Sequence, residues 1–393
     1  GLNIKAEEAI MGFDFAQAGA SAGKLAVAGT FSYAQQRSDI LAHLAEGSTI
    51  TGGRVDVYGG SLQTQINWAG GVAKSQAIGV GIAVAINDTE RKTRAVIGEL
   101  TDTAGTGPNG RSRIDVTGSV TARAAVSGGS YGFSVAGAIA NTSQDNTKKD
   151  AGGSANSSPT ANSFPSGMPG ARQPSQQGQN QQASTGVGAA GSAGVTHISD
   201  EIQASLSDAD VTADAVTVKA VNSNQMVSAS GSLAFTKGSS GNTSIGLAGA
   251  FSNNEITTST NAFVRDAALT LRPVDLVKDA VVFTTDRRFS VTADDRSSIW
   301  TLAAGLSGAI AGGSSSGGGG GGSSTALSLA GSVSLNTIHN RTSARLIDST
   351  VDLGAAPGIT SDAWITARND SSIFSIAGSL SLAIAQGKSS SST

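Results

Sequence analysis

A short strand-like motif comes round six times along this chain, and repetition constrains the fold more than any other property of the sequence. The copies are Asn3-Ile4-Lys5-Ala6, Val55-Asp56-Val57-Tyr58-Gly59, Ile114-Asp115-Val116-Thr117-Gly118, Val216-Thr217-Val218-Lys219-Ala220, Phe289-Ser290-Val291-Thr292-Ala293 and Trp364-Ile365-Thr366-Ala367. A unit of roughly 50 residues, lengthened by loops, can bury its apolar face only against neighbouring units. Residues 1–393 therefore read as a single elongated β-repeat domain of about five such units plus a partial sixth. Within it, Val55, Ile114, Val216, Phe289 and Trp364 are expected at equivalent positions, facing inward.

Each unit reads as five segments. The motif is followed by a second, small/aliphatic segment, as in Met226–Ala234 and Ile373–Leu380, whose alternation marks a strand with one closely packed face. After a turn, such as Lys237–Asn242 or Ala73–Gln76, comes a third segment, Ile245–Phe251 or Leu327–Val333. Asn87, Asn254 and Asn336 stand at one fixed offset before Ala95, Ala262 and Ala344, with Ala34 before Ala42 in the Asn place, which suggests a turn of constant geometry. A fourth strand, such as Asn261–Val264, and a fifth short one, such as Ala209–Val211 or Thr350–Leu353, complete the unit. Helix signals are nearly absent: Glu7–Ala20 fits the strand repeat better, and only Leu276–Val282 is compatible with a helical turn.

Insertions enter at recurring corners. Residues 142–196 form a Ser-, Gly-, Gln- and Asn-rich stretch containing Pro159, Pro165, Pro169 and Pro174, and residues 312–324 contain only Gly and Ser. Such compositions cannot offset ordering entropy by burial, so both are expected to be flexible. Loops at Thr101–Gly110 and Arg272–Arg287 expand a third corner. The 52 glycines and 4% aromatic content suit thin, closely stacked layers. Together these features lead to an all-β, repeat-built solenoid, a parallel β-helix, with an array of antiparallel β-hairpins as the alternative.

Chemistry is sparse. No Gly-Gly-x-Gly-x-Asp calcium turn recurs. Asp208, Asp210 and Asp214, with Asp294 and Asp295 as a second group, read as solvated turn residues. His43, His197 and His339 are the only histidines, the latter two near equivalent turns, and none has a second ligand at metal spacing. No Gly-x-Ser-x-Gly elbow occurs, and residues 312–324 lack the Lys-Ser/Thr ending of a phosphate loop. A sugar-cleaving β-helix needs acid, base and stacking groups in one groove, whereas the charged residues here, 14% of the chain, are scattered. Trp68, Trp300 and Phe374 read as an aromatic row inside or at a corner of the coil. The threonines of Ile256–Thr260 reflect β-propensity rather than an ice-binding surface. No catalytic, cofactor-binding or metal-ligating residue is assigned, and no cofactor is expected.

The net charge of −3 and pI near 5.6 leave no basic footprint for nucleic acid. The apolar run Ile78–Ile86 is nine residues long, too short to span a bilayer as a helix. No cysteine is present, which suits a large bacterial surface protein exported unfolded better than a disulfide-bonded secreted module. Gly1 falls almost on a repeat motif, so the chain is expected to be a segment of a longer array.

The runs Gly81–Asn87 through Thr93–Gly98, and Gly331–Asn336 through Thr342–Ile347, carry a rhythm of a Gly/Ala/Ser-rich strand ending in Asn, then Thr-x-Ala-x-Ile or a near variant, then Val-x-Val-x-Ala. This rhythm resembles the repeat regions of very large secreted bacterial surface proteins, the haemagglutinin-type and autotransporter-like adhesins, over nearly the whole chain. The resemblance implies a right-handed β-helix, an extracellular or cell-surface location, and a non-catalytic structural role as a stalk in cell adhesion. Its partners would be neighbouring repeats of the same long chain and an unidentified cell-surface or matrix ligand. The competing reading is a β-helical polysaccharide-active enzyme or carbohydrate-binding module.

Overall fold

A computed structural model describes residues 1–100, 110–142, 185–238, 242–273, 286–312, 324–354 and 361–386. The described regular structure is all strand, without helix. The chain climbs in rungs of three strands each. The first rung is β1 (Leu2–Ala22), β2 (Leu25–Ala45) and β3 (Thr49–Gly52); the second is β4 (Val55–Ser75), β5 (Ile78–Gly98) and β6 (Ser112–Val116). The third is β7 (Ser119–Asn141), β8 (Thr185–Ser207) and β9 (Ala209–Ala213); the fourth is β10 (Ala215–Gly238), β11 (Thr243–Arg265) and β12 (Ala268–Leu271). The fifth is β13 (Asp286–Ala311), β14 (Thr325–Ile347) and β15 (Thr350–Asp352), and β16 (Ser361–Asn369) with β17 (Ser372–Ala385) begins a sixth.

Every strand pairs in parallel with its counterpart one rung away. The first sheet runs β1-β4-β7-β10-β13, with β16 and β17 both on β13; the second runs β2-β5-β8-β11-β14; a short third sheet runs β3-β6-β9-β12-β15. This is a parallel β-solenoid, and it excludes the antiparallel-hairpin alternative. Strands such as β4 and β5 look like hairpin arms in the sequence, but each belongs to a different sheet and they face one another across the interior. A strand of 21 residues is about 70 Å long, whereas five rungs stack to about 24 Å. The elongation therefore lies across the stack.

Five sequence segments prove to be three strands. The motif Val216–Ala220 and the segment Met226–Ala234 are both parts of β10, and Ile245–Phe251 and Asn261–Val264 are both parts of β11. The fixed offset from Asn254 to Ala262 is thus a stretch of strand and not a turn; Asn254 pairs with Asn336 and Ala262 with Ala344 in one unbroken register. The apolar rhythm lapses there because the interior itself turns polar.

Val55, Val120, Val216 and Phe289 share one column, as expected for three of the five positions named above. Ile114 does not belong to it. It lies in β6 of the third sheet, beside Ile50 and Val211, and Val120 takes its place. Ile114 and Val120 both sit in alternating runs separated by one tight corner, so period alone does not tell them apart. Leu2 rather than Ile4 stands beside Val55, and Ala363 rather than Trp364 beside Phe289. A one-residue slip reverses the face, and Trp364 points outward.

The interior changes character along the strands. At the end closed by the third sheet, Val57, Ile97, Ile114, Val116, Leu206 and Phe289 belong to a large apolar cluster. A polar belt follows, then a seam of Ile198, Met226, Ile256 and Ile299. Beyond a second, Asn- and Ser-lined belt the sheets converge on alanines such as Ala83, Ala136 and Ala234. Here glycine is required by proximity: a Cβ on Gly81 would stand 2.1 Å from the Gly137 carbonyl oxygen. The sheets are consequently closer than the usual ~10 Å face-to-face spacing.

Of the insertion expected at 142–196, residues 185–196 are the start of β8, and 143–184 lie outside the described residues. So do 313–323 of the Gly/Ser loop, most of Thr101–Gly110 and Arg272–Arg287, and Leu276–Val282 entirely.

Candidate functional site

The densest chemistry is inside. Arg91 on β5 reaches its register partner Asp200 on β8 through two hydrogen bonds of 2.7 Å, Nε to Oδ1 and Nη2 to Oδ2, with both side chains buried. Asn224 of the facing sheet joins both, and the Ser127 carbonyl accepts from Arg91 Nη1 at 3.2 Å. Gly128 stands where neighbouring rungs place Gln63 and Asn224, and its φ of 132° and a built Cβ 1.8 Å from the Gln63 carbonyl oxygen require glycine there. Two rungs on, Asp295 is wholly buried and accepts from Thr258 (2.7 Å), Thr260 (3.0 Å), Asn222 (3.1 Å), Ser297 (2.8 Å) and Asn340 (2.7 Å). Five donors satisfy a carboxylate fully. These groups are spent on one another and closed to solvent, so they tie rungs and sheets together and do not meet a ligand.

The carboxylates expected in solvated turns therefore divide. Asp294 points outward, but Asp295 lies mid-strand in the interior. Asp210 pairs with Arg111 at 2.8 Å, and Asp214 sits at the corner before β10. Asp208 is a buried single-residue corner between β8 and β9, with φ of 48°. Asp266 and Asp348 repeat that left-handed corner on the next two rungs, at φ of 49° and 44°. Asp tolerates this conformation better than most residues. Burial pushes the Asp208 carboxyl up; the neighbouring Glu99 and Asp266 carboxyls add to this against Arg265, and it stands at about 6. The sequence carried a signal for this column that the reading missed: an acidic residue follows the fixed alanine at a constant offset, as Glu46, Glu99, Asp208, Asp266 and Asp348 follow Ala42, Ala95, Ala204, Ala262 and Ala344.

The outer faces hold what a ligand could reach. On the second sheet a cleft of about 800 Å³ is bordered by Glu90, Lys92, Glu201, His339 and Arg341. Its charges form ion pairs between rungs, Lys92 with Glu201 at 3.0 Å and Arg37 with Glu90 at 3.3 Å. On the first sheet a smaller cleft of about 460 Å³ is lined by Thr64, Tyr131, Gln225, Arg296 and Asp370 among others. Burial raises the Asp88 carboxyl, but hydrogen bonds from His197 at 3.0 Å and Gln35 at 2.9 Å, with the nearby Arg37 charge, outweigh it and hold it below its usual value. His197 and His339 are on strands, not turns, and stand in different columns, since Thr337 is level with His197. His43 Nε2 lies 2.8 Å from the Gly98 carbonyl oxygen. No three His, Asp or Glu side chains converge as metal ligands among the described residues.

Trp68, Trp300 and Phe374 are outside the coil, contrary to expectation. Trp68 lies between Phe15 and Phe133, at centroid distances of 6.5 and 5.7 Å, and Trp300 lies 4.9 Å from Phe374. Trp68 and Trp300 occupy adjacent outward columns of the first sheet. They face outward by strand alternation, their neighbours Asn67 and Ala69, and Ile299 and Thr301, being the inward residues. With Leu302, Leu306, Leu380 and Leu382 they make the outer face apolar over the thin end, and Leu25, Phe31, Ile78, Leu247 and Leu329 do the same on the second sheet.

No protein-family model matches the chain, and neither the curated proteins nor the solved structures contain a significant match to it. No helix among the described residues is long and apolar enough to cross a membrane.

Proposed function

We propose that the chain is a structural stalk segment of an extracellular bacterial adhesin or surface-filament protein, without catalytic activity. The observation that carries this reading is the continuity of the stack. Strands of 21–26 residues pair rung upon rung in parallel, and the Arg91 and Asp295 networks join successive rungs through side chains as well. A scaffold of this kind transmits position over distance, and its buried polar groups serve cohesion. Several reachable ionisable groups are engaged in ion pairs between rungs, such as Lys92 with Glu201 and Arg37 with Glu90.

A second reading, carbohydrate binding or cleavage, draws on the polar cleft bordered by Glu90, Glu201, His339 and Arg341. Two measurements test both. Antibody against the chain should label intact source cells without permeabilisation, and the purified chain should release no reducing ends from acidic or neutral polysaccharides. Staining only after lysis would end the surface reading. Saccharide release that disappears in Glu201→Gln would establish the second.

A further inference from the structure

Where the second sheet gives way to the third, each of the five complete rungs carries an acidic residue. Glu46, Glu99, Asp208, Asp266 and Asp348 are each the first residue past the second sheet, following Ala45, Gly98, Ser207, Arg265 and Ile347. The parallel register stacks them at about 4.8 Å per rung, and like charges directly opposite one another on neighbouring strands are destabilising. Arg265 stands 3.9 Å from Glu99 and 3.7 Å from Asp266. Among the described residues, the three carboxylates of Glu99, Asp208 and Asp266 against this one guanidinium leave two negative charges. Asp208 is the member least provided for. It is 1% exposed, and neither of its carboxylate oxygens meets a hydrogen-bond donor among the described residues. Elsewhere in the interior a buried carboxylate is met: Asp200 accepts two hydrogen bonds from Arg91, and Asp295 is ringed by hydroxyls and amides. The main chain of Asp208 is satisfied, its amide donating to the Arg265 carbonyl at 3.1 Å and its carbonyl accepting from the Ser112 amide at 2.8 Å. The unmet demand is that of the carboxylate alone.

A buried carboxylate without donors, level with a second carboxylate on the next rung, calls for a cation. We propose that a calcium ion seats at this corner between Asp208 and Glu99, taking one carboxylate from the third rung and one from the second. The register sets these two residues side by side at the rung spacing, and calcium–oxygen distances of about 2.3–2.6 Å let one ion bridge carboxylates so placed. Its two charges match the excess left by Arg265. Calcium accepts about six to eight oxygens in irregular arrangements that include water, whereas magnesium requires a near-ideal octahedron and zinc favours nitrogen and sulfur. Three carboxylates do not close on one point among the described residues, so water completes the shell and the affinity belongs to the weak class, about 10⁻⁴–10⁻³ M. The Glu99 and Asp266 side chains, 17% and 27% exposed, keep the corner in touch with solvent and give the ion a way in.

Thermal melts of residues 1–393 at about pH 8, where carboxylates are ionised, read the ion directly. Wild type should melt at least about 2 °C higher in several-millimolar calcium chloride than in chelator, saturably, and beyond any rise in sodium chloride of equal ionic strength. Magnesium chloride should do less. Asp208→Asn keeps a residue suited to the left-handed corner and removes one ligand, and Glu99→Gln removes the other. Both should melt cooperatively in chelator, which shows that they fold, and both should lose the calcium response. Asp210→Asn, which breaks only the partly exposed pair with Arg111, should keep it. Because Asp208→Asn also relieves repulsion, it should melt above wild type in chelator, and calcium should narrow that lead. A wild-type melting temperature indifferent to calcium would mean that a proton settles the charge at this corner, and overturns the proposal. So does a rise that sodium chloride reproduces, which is screening, or one that survives in either Asp208→Asn or Glu99→Gln, which places the ion elsewhere.

Discussion

Arg91 and Asp200 form a charge pair whose value depends on both members being present. Truncating one leaves the other charged and buried, at a cost of about 3–5 kcal/mol, whereas replacing both by apolar residues costs far less. Arg91→Met should therefore lower the urea midpoint strongly, and Arg91→Met with Asp200→Leu should recover most of the loss. Equal damage in the single and double variants would show that hydrogen bonds to Asn224 and Ser127 matter more than the charge pair. Asp208 gives the opposite dependence on pH from a paired carboxylate. Its folded value of about 6 lies above 3.8, so the folded chain holds an extra proton between those limits. Stability from this group is complete below about pH 4 and is lost as pH rises through about 6, a change of about 3 kcal/mol. Asp208→Asn, which keeps a residue suited to the left-handed corner, should flatten that part of the profile and raise the melting temperature at pH 7. A profile with the same slope in both proteins would move the titration elsewhere.

Strands with two apolar demands, small inside and bulky outside, make glycine substitutions opposite in sign according to face. Gly81→Ala would force a Cβ to 2.1 Å from the Gly137 carbonyl and should destabilise by about 1–3 kcal/mol. Gly231→Ala on the outer face of β10 meets nothing within 4 Å and should stabilise by about 0.5–1 kcal/mol. Urea midpoints that move in the same direction for both would contradict the close approach of the sheets. The strand class was legible because Ala, Gly and Ser alternate with aliphatics in segments such as Met226–Ala234. Strand length was not legible: Asn222, Asn224 and Asp295 face inward where apolar residues are expected, so a continuous β10 or β13 reads as two pieces. The outward place of Trp68 and Trp300 was hidden for the same reason, since the inward places beside them are held in part by Asn67 and Thr301, polar residues that patterning assigns to the outer face.

At the scale of the molecule, each rung rests on its neighbours, and connections between β-strands at the thin end vary without disturbing the stack. β4 and β5 are joined by Gln76 and Ala77 alone, whereas residues 143–184 lie between β7 and β8. Replacing 143–184 by a two-residue turn should leave the fold intact and raise stability by no more than about 3 kcal/mol, because loop closure costs only about 0.6 kcal/mol per doubling of length. Chemical denaturation measures this, and a collapsed fold would make the segment a packed part of the scaffold. The alternation of belts within the interior has a further effect on assembly. A strand more than twenty residues long can slide by two on its neighbour and still keep every inward side chain inward, so apolar burial alone distinguishes such positions poorly. The polar belts act as graduations on a vernier. Moved two places toward the third sheet, Asp295 would leave Thr258, Thr260 and Asn340 for the level of Ala220 and Ala293, a carboxylate among apolar side chains. Only one alignment brings every mark into coincidence, and each incoming rung is indexed by the one already laid down.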